Sequence, residues 1–141
     1  MFRTFRVHKI VVSIVEKLLT IYLNNTHLTD IKLWSLITVP ESELYKRGKR
    51  ILEAIGRPDG VSVEATRAYV GGGALPESAI PSTGVIFSAR YKASDLMKKF
   101  RDYHLPVIGR IEDDRFILDL KAVDAEDIDL LIQAIKDCLA N

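Results

Sequence analysis

Cysteine is nearly absent from this chain of 141 residues, which contains only Cys138. A single thiol cannot form an internal disulfide framework, and it excludes any zinc site built on two or more cysteine thiolates. We interpret Cys138 as a small apolar side chain of the last helix. The three histidines, His8, His27 and His104, show no metal-ligand spacing, so the sequence predicts no metal site.

An excess of charge of either sign is also missing. The 20 Lys and Arg residues are balanced by 19 Asp and Glu residues, giving a formal net charge of +1, which argues against a chain that coats DNA or RNA. The longest apolar run, residues 10–23, is interrupted by Glu16 and Lys17 and is too short to span a bilayer. Because no small-residue cleavage site follows it, as a secretory signal requires, we predict a soluble cytoplasmic protein.

Glycine-based nucleotide motifs are missing as well. Neither the Walker phosphate loop nor the dinucleotide fingerprint occurs, and there is no Gly-x-Ser-x-Gly elbow. A triple glycine at residues 71–73 follows a predicted strand. Its backbone N–H groups could bind an anion, or it could form a turn where two backbone segments approach closely. The turn is the more frequent use of such a run.

The N-terminal apolar run has the composition of a buried helix. Ten of the fourteen positions in residues 10–23 are apolar, and they cover most of a helical wheel. A helix that is apolar on nearly all sides must be buried on more than one side. This predicts packing against an upstream domain, a contact in an oligomer, or burial by the rest of the chain.

A second helix is predicted after a weakly patterned connector. Thr38 is expected to cap it, Pro40 suits its first turn, and Gly56 ends it. The chain is therefore divided into an N-terminal apolar helix with its connector, residues 1–38, and a C-terminal α+β domain, residues 39–141.

The pattern changes from helical spacing to alternation at residue 61. Short antiparallel strands with helices on one face form a two-layer α+β sandwich, so we predict that architecture in the order β-β-α-β-β-α. The turn at residues 112–114 joins the last two strands as a hairpin. The strands are predicted over residues 61–70, 83–89, 106–111 and 115–121, and the helices over residues 94–103 and after a cap at Asp124.

Arginine residues provide the candidate binding groups. Arg3 and Arg6 lie three positions apart, and on a helix extended back to them they share a face. Two such guanidinium groups can hold a phosphate or similar oxyanion through bidentate bonds, although an ordinary basic N-terminal stretch is the simpler explanation. Arg110, in an otherwise apolar strand, needs a partner; Glu112 or Asp119 would serve, and contact with an anionic ligand is the alternative.

A basic cluster on the second helix has two interpretations. The basic side chains most simply form a solvated helix face. The more specific alternative is a weak contact with nucleic acid. The cluster consists of Lys46, Arg47, Lys49 and Arg50.

Three segments taken together resemble a known family. They are residues 3–9 (RTFRVHK) leading into the apolar helix; residues 70–76 (VGGGALP) followed by residues 80–82; and residues 106–113 (PVIGRIED) followed by Arg115 and residues 118–120. In this order and spacing they are similar to the C-terminal part of bacterial selenocysteine synthase, L-seryl-tRNA(Sec) selenium transferase. The third segment is the most specific of the three.

The resemblance implies a pyridoxal-phosphate enzyme of the aminotransferase-like fold that forms homo-oligomers, commonly decamers. Such enzymes convert seryl-tRNA(Sec) to selenocysteinyl-tRNA(Sec): the serine hydroxyl is eliminated and selenium is added from selenophosphate. The residues 39–141 would be the small C-terminal domain, and the apolar helix would pack on a large domain. Arg3 and Arg6 fall on the arginine pair that holds the anionic selenium donor in the family.

The family's Schiff-base lysine lies upstream of the region of resemblance, so this chain by itself is expected to be inactive. His8 stands where the family usually has Asp, and Asp114 stands where a turn glycine is usual. Two alternatives remain: a non-catalytic binding or assembly module of the same fold, or a fragment of another pyridoxal-phosphate enzyme, such as an ammonia-lyase relative acting on a phosphorylated amino sugar acid.

Overall fold

The structure is a computed structural model that describes residues 7–69 and 79–140. The chain separates into two compact units, the first ending at Thr38 and the second beginning at Val39. Among the described residues, no helix combines the length and the apolar character needed to cross a bilayer. Within the same residues, no group of His, Cys, Asp or Glu side chains could hold a metal ion.

The first unit consists of three helices. Helix α1 spans Lys9–Leu23, α2 spans His27–Asp30 and α3 spans Lys32–Ile37. The long N-terminal helix is confirmed, whereas the connector contains two short helices that the weak pattern did not indicate. Aromatic contacts within this unit support them: the His27 ring stacks on Tyr22 at 5.0 Å, and Trp34 Nε1 donates to the Tyr22 hydroxyl at 2.8 Å.

Helix α1 leaves its apolar side chains in solvent. None of its residues is buried, and the exposed side chains lie on a wide arc of the helix. Such an exposed apolar surface is typical of a segment that binds a partner. The exposed apolar residues of α1 are Ile10, Val11, Val12, Ile14, Val15, Leu18, Leu19, Tyr22 and Leu23.

The second unit is the predicted α+β sandwich. Its elements are α4 (Glu41–Ala54), β1 (Val61–Tyr69), β2 (Ala79–Phe87), α5 (Ala93–Arg101), β3 (Arg110–Glu112), β4 (Arg115–Asp119), a 3-10 helix (Leu120–Ala122) and α6 (Ile128–Ala140). The four strands form one antiparallel sheet in the order β1-β2-β4-β3. The predicted order β-β-α-β-β-α is therefore confirmed.

The core lies between the sheet and helices α4, α5 and α6. Three aromatic rings occupy its centre, with Phe87 5.8 Å from Phe116 and Phe100 stacked on Phe116 at 5.2 Å. All three rings are fully buried, and each contributes roughly 1.5–3 kcal/mol of hydrophobic free energy. The aliphatic side chains packed around them include Leu44, Ile51, Val85, Leu96, Leu118, Ile128, Leu131 and Ile135.

Several predicted boundaries were wrong, each for a local reason. Helix α4 has Pro40 as its N-cap residue; the Thr38 hydroxyl instead donates to the Trp34 carbonyl at 2.7 Å. Strand β2 begins at Ala79 and includes Pro81, although the sequence predicted a start at Thr83. Proline, which has no backbone N–H to donate, is tolerated here because β4 pairs only with residues 84–87 and leaves one side of β2 open at Pro81.

The remaining errors lie in the last third of the chain. Strand β3 is shorter than predicted, beginning only at Arg110. Strand β4 ends at Asp119, where the 3-10 helix begins, and α6 begins at Ile128 rather than directly after Asp124.

The β3–β4 hairpin closes through two residues with left-handed backbone. Asp113 has φ 50° and Asp114 has φ 57°. Two successive positive φ values define a type I′ turn, which favours Asn, Asp and Gly. The structure thus gives a physical reason for glycine at the position of Asp114 in the resembling family.

Tyr103 joins the end of α5 to α6. Its hydroxyl donates to Asp137 Oδ2 at 2.5 Å. This hydrogen bond, with desolvation and the nearby carboxylate charge, raises the pKa of Tyr103 from 10.0 to about 12. The hydrogen bond between Tyr103 and Asp137 therefore stabilises the folded chain fully below pH 10. This contribution to the free energy of unfolding is lost as the pH rises through about 12.

We expect a tyrosinate absorbance titration of the folded chain to contain a late transition near pH 12, belonging to Tyr103. The Tyr103→Phe variant should lack that transition, because the phenol held by Asp137 is gone. Tyr45→Phe, on the exposed side of α4, is the control and should retain it. A late transition that survives in Tyr103→Phe would contradict the assignment.

Candidate functional site

Arg110 connects the two edges of the sheet. It begins on the edge strand β3, and its Nη1 donates to Asp119 Oδ2 at 2.8 Å, while Nε donates to Glu112 Oε2 at 3.3 Å. Its Nη2 donates to the Thr66 hydroxyl and, at 3.0 Å, to the Arg67 carbonyl on the opposite edge strand β1. All three guanidinium nitrogens are thus engaged by protein acceptors.

Asp119 holds the centre of this arrangement. In addition to Arg110, it accepts hydrogen bonds at Oδ1 from the Ser82 hydroxyl at 2.6 Å and the Lys121 backbone N–H at 3.0 Å. The Ser82 side chain is fully buried, so Asp119 satisfies a hydroxyl that would otherwise be unpaired. We refer to Arg110, Asp119, Glu112, Ser82 and Thr66 as the Arg110 network.

The Arg110 network holds its charges in a partly desolvated position. The Arg110 side chain is 29% exposed and that of Asp119 is 13% exposed. Burial by itself lowers the pKa of Arg110, but the hydrogen bonds to Asp119 and Glu112 outweigh it and leave that pKa raised. Arg110 therefore remains a cation, and the structural pairing expected from the sequence is observed; its role as an anion contact stays a prediction.

The proposed clamp residues Arg3 and Arg6 lie outside the described residues. Helix α1 begins at Lys9, and its N-cap residue His8 has extended backbone, with φ −65° and ψ 142°. The His8 Nδ1 accepts from the Ile10 backbone N–H at 3.3 Å. Asp, which the resembling family usually has at this position, is one of the best N-cap residues.

Other candidate groups are placed differently. The triple glycine at residues 71–73 also lies outside the described residues. On α4, Arg47 lies 3.6 Å from Glu43, Arg50 is paired with Asp129, and Lys49 lies over the Tyr45 ring. The basic cluster is thus partly neutralised by carboxylates, as a solvated helix face is.

The described residues do not fit a pyridoxal-phosphate site. Lys121 is the one buried lysine among them, and its ammonium group donates to the Val39 carbonyl at 2.9 Å. A cavity of about 460 Å³ lies between residues 105–108 and α6, and its charged lining residues are Asp119 and Asp127. No cation lies among the lining residues to bind a phosphate group, so this cavity is unsuited to the cofactor.

Comparison with known proteins identifies the class to which this fold belongs. The family model for L-seryl-tRNA selenium transferase matches residues 1–124. The chain therefore belongs to the L-seryl-tRNA selenium transferase family, and the resemblance to its C-terminal part described above is confirmed.

Individual relatives are L-seryl-tRNA(Sec) selenium transferases from bacteria. The protein of Campylobacter fetus subsp. fetus is 36% identical over 134 residues, which are 94% of this chain and 28% of the relative. The Campylobacter concisus protein is 33% identical, covering 96% of this chain and 29% of the relative. That of Nautilia profundicola is 31% identical, covering 97% and 29%. The chain thus spans less than a third of the length of these curated relatives.

The Arg110 network should stabilise the second unit more than surface ion pairs do. Arg110→Ala leaves Asp119 partly buried without its cation, and we expect a loss of about 2–3 kcal/mol in the free energy of unfolding. Arg115→Ala, which breaks the more exposed pair with Glu64, is the matched control and should cost less than about 1 kcal/mol. Urea unfolding followed by circular dichroism measures both; equal losses would contradict the role given to the network.

Proposed function

We propose that this chain supplies the C-terminal part of an L-seryl-tRNA(Sec) selenium transferase, converting seryl-tRNA(Sec) to selenocysteinyl-tRNA(Sec) with selenophosphate as selenium donor. The observation that carries the proposal is the family match over residues 1–124, supported by relatives of this name that are aligned with more than nine-tenths of the chain. The reaction acts on an aminoacyl-tRNA, so we expect it to take place in the cytoplasm, within a homo-oligomer.

The chain is proposed to act together with a large domain of the same family. The relatives are more than three times as long as the segment matched here, since that segment makes up 28% of the Campylobacter fetus protein. Helix α1 supports this partner, because its exposed apolar side chains need a surface that excludes water. Burying a Leu or Ile side chain of α1 there would contribute roughly 1.5–3 kcal/mol.

Within the assembled enzyme, Arg3 and Arg6 are proposed to bind selenophosphate. Guanidinium groups present paired N–H donors that match the oxygen atoms of a phosphate, and each charge-assisted bond is stronger than a neutral one. Arg110 is a weaker candidate for this role, since Asp119, Glu112 and two acceptors of β1 already engage its guanidinium group.

Pyridoxal phosphate, when bound to such an enzyme, withdraws electrons from the amino acid and so permits loss of the serine hydroxyl. We propose that the large domain provides the cofactor site, including the lysine that binds it covalently. The described residues of this chain contribute no suitable lysine or phosphate pocket. The chain alone should therefore be inactive and should show no absorbance of bound pyridoxal phosphate after mixing with the cofactor and desalting.

A complementation experiment tests whether activity requires both this chain and a large domain that carries the cofactor site. The Campylobacter fetus relative is prepared without the segment that this chain matches, and formation of selenocysteinyl-tRNA(Sec) is measured for each part and for the mixture. We expect activity only in the mixture. The Leu19→Glu variant, altered on the apolar side of α1, should abolish complementation, whereas the control Lys17→Glu on its polar side should retain it. Activity or covalent cofactor in this chain alone would overturn the proposal.

The arginine pair is tested in the complemented enzyme. Arg3→Ala or Arg6→Ala removes a charge-assisted contact, and we expect each to raise the KM for selenophosphate about tenfold, with the KM for seryl-tRNA(Sec) unchanged. Arg57→Ala, which breaks only a surface pair with Glu53, is the control. An equal increase in all three variants, or none in the first two, would argue against the clamp.

A second candidate function is a non-catalytic assembly module of the same fold, which the exposed surface of α1 also favours. The two functions differ in the complementation experiment. An assembly module would bind the truncated relative through α1 without restoring selenocysteinyl-tRNA(Sec) formation.

A further inference from the structure

Three aromatic side chains connect the helices of the first unit. Tyr22 comes from α1, His27 from α2 and Trp34 from α3, and we refer to them as the aromatic cluster. The His27 ring stacks on Tyr22 with the ring centres 5.0 Å apart, and it meets Trp34 edge to face at 6.3 Å. The Trp34 indole N–H donates to the Tyr22 hydroxyl at 2.8 Å. Because no residue of these three helices is buried as a whole, the aromatic cluster supplies much of their side-chain packing.

One polar atom of the aromatic cluster lacks a partner. His27 Nδ1 is buried and forms no hydrogen bond within the part of the chain that the structure describes. A neutral imidazole has one N–H group and one lone pair, so a neutral His27 can carry its proton on Nε2 and leave only a lone pair at Nδ1. An unpaired lone pair costs less free energy than a charged N–H donor without an acceptor. The position of this ring therefore suits the neutral form of His27.

No carboxylate is placed to pair with a positive charge on His27. The acidic group on its own helix, Asp30, lies within hydrogen-bond distance of the Thr29 hydroxyl at 3.3 Å. Among the described residues, no ion pair or hydrogen bond joins the His27 side chain to a charged group. The ionisable side chains on the helices packed against α2, namely α1 and α3, are Lys9, Glu16, Lys17, Tyr22 and Lys32.

We propose that His27 makes the first unit sensitive to pH: protonation of its ring releases it from the aromatic cluster and loosens α2 and α3 from the end of α1. In the neutral form the ring stays stacked on Tyr22. As the pH falls, a proton from solvent binds the free lone pair at Nδ1, and the new N–H group finds no acceptor in its buried position. In water both the N–H group and the charge are hydrated. The proposal is independent of the reaction proposed above.

Two effects oppose each other when the ring is protonated. The face of Tyr22 attracts a cation, which favours keeping the stack. The buried charge at Nδ1 loses its hydration, which favours release, and burying an unpaired charge costs more than a cation–π contact returns. Little else holds α2 in place, because it has only four residues and its N-cap residue Thr26 forms no side-chain cap hydrogen bond. Release therefore outweighs stacking at acidic pH.

Fluorescence of the full chain tests the proposal, because Trp34 is its single tryptophan and it has only three histidines. Lowering the pH from about 8 to about 5, where histidine ordinarily changes charge, should shift the emission to longer wavelength as the indole meets water. His27→Phe keeps an aromatic ring without a titrating nitrogen, and its emission should stay constant. The controls His8→Gln and His104→Gln should shift as the unsubstituted chain does. A shift that persists in His27→Phe, or a loss of intensity at constant wavelength in the unsubstituted chain, would overturn the proposal.

Hydrogen exchange in the unsubstituted chain tests the same release even if His27→Phe fails to fold. The Ile31 amide donates to the His27 carbonyl at 3.2 Å, and this bond breaks when α2 opens. After correction for the intrinsic effect of pH on exchange, its protection should fall at least tenfold between about pH 8 and about pH 5. The Val107 amide, which donates to the Phe100 carbonyl in the second unit, is the control and should keep its protection. Equal protection of Ile31 at both pH values would contradict the proposal.

Discussion

A four-stranded sheet exposes two faces and two edges, and the need to shield each from water organises the second unit of this protein. One face is covered by α4, α5 and α6 around the rings of Phe87, Phe100 and Phe116. The other face holds Ile86 and Ile117, which are also buried, together with the Arg110 network. Hydrophobic packing thus stabilises one side, and a satisfied polar network lies on the other.

The Arg110 network also explains how a very short edge strand is held. With three residues, β3 forms few ladder hydrogen bonds, but its arginine is hydrogen-bonded to Asp119 on β4 and to Thr66 on β1. Since the strand order is β1-β2-β4-β3, one side chain ties together the two edges of the sheet. An arginine suits this task because its planar fork binds several acceptors in fixed directions.

Exposed apolar surface appears in both units and has different consequences. In the first unit it lies along the whole of α1, which fits a helix that packs on a large partner domain. In the second unit it includes the edge at β3 and the residues just before it, while Tyr45, Tyr69 and Leu130 are single exposed side chains on other elements. A helix surface of this size calls for an extensive apolar partner, whereas a strand edge selects its partner through backbone hydrogen bonds and register.

Much of the fold was predictable because its signals are local. Alternation from Val61 onward, the apolar face of α6 and the acidic turn at Asp113 each reflect the geometry of the element in which they occur. The partners of Arg110 were also predictable, since a buried strand arginine needs nearby carboxylates. The Thr38 cap was not, because its hydroxyl bonds back to Trp34 instead.

The amino-acid sequence by itself determined the family and the order of helices and strands in the second unit, because these depend on residue identity, spacing and periodicity. Only the tertiary structure decided that Pro81 lies inside a strand, that Arg110 reaches Thr66 across the sheet, and that Ile111 occupies an open edge. Each of these depends on contacts between residues distant in the chain. Local preference cannot specify such contacts, since strand order and side-chain reach are established only when the sheet and its core assemble.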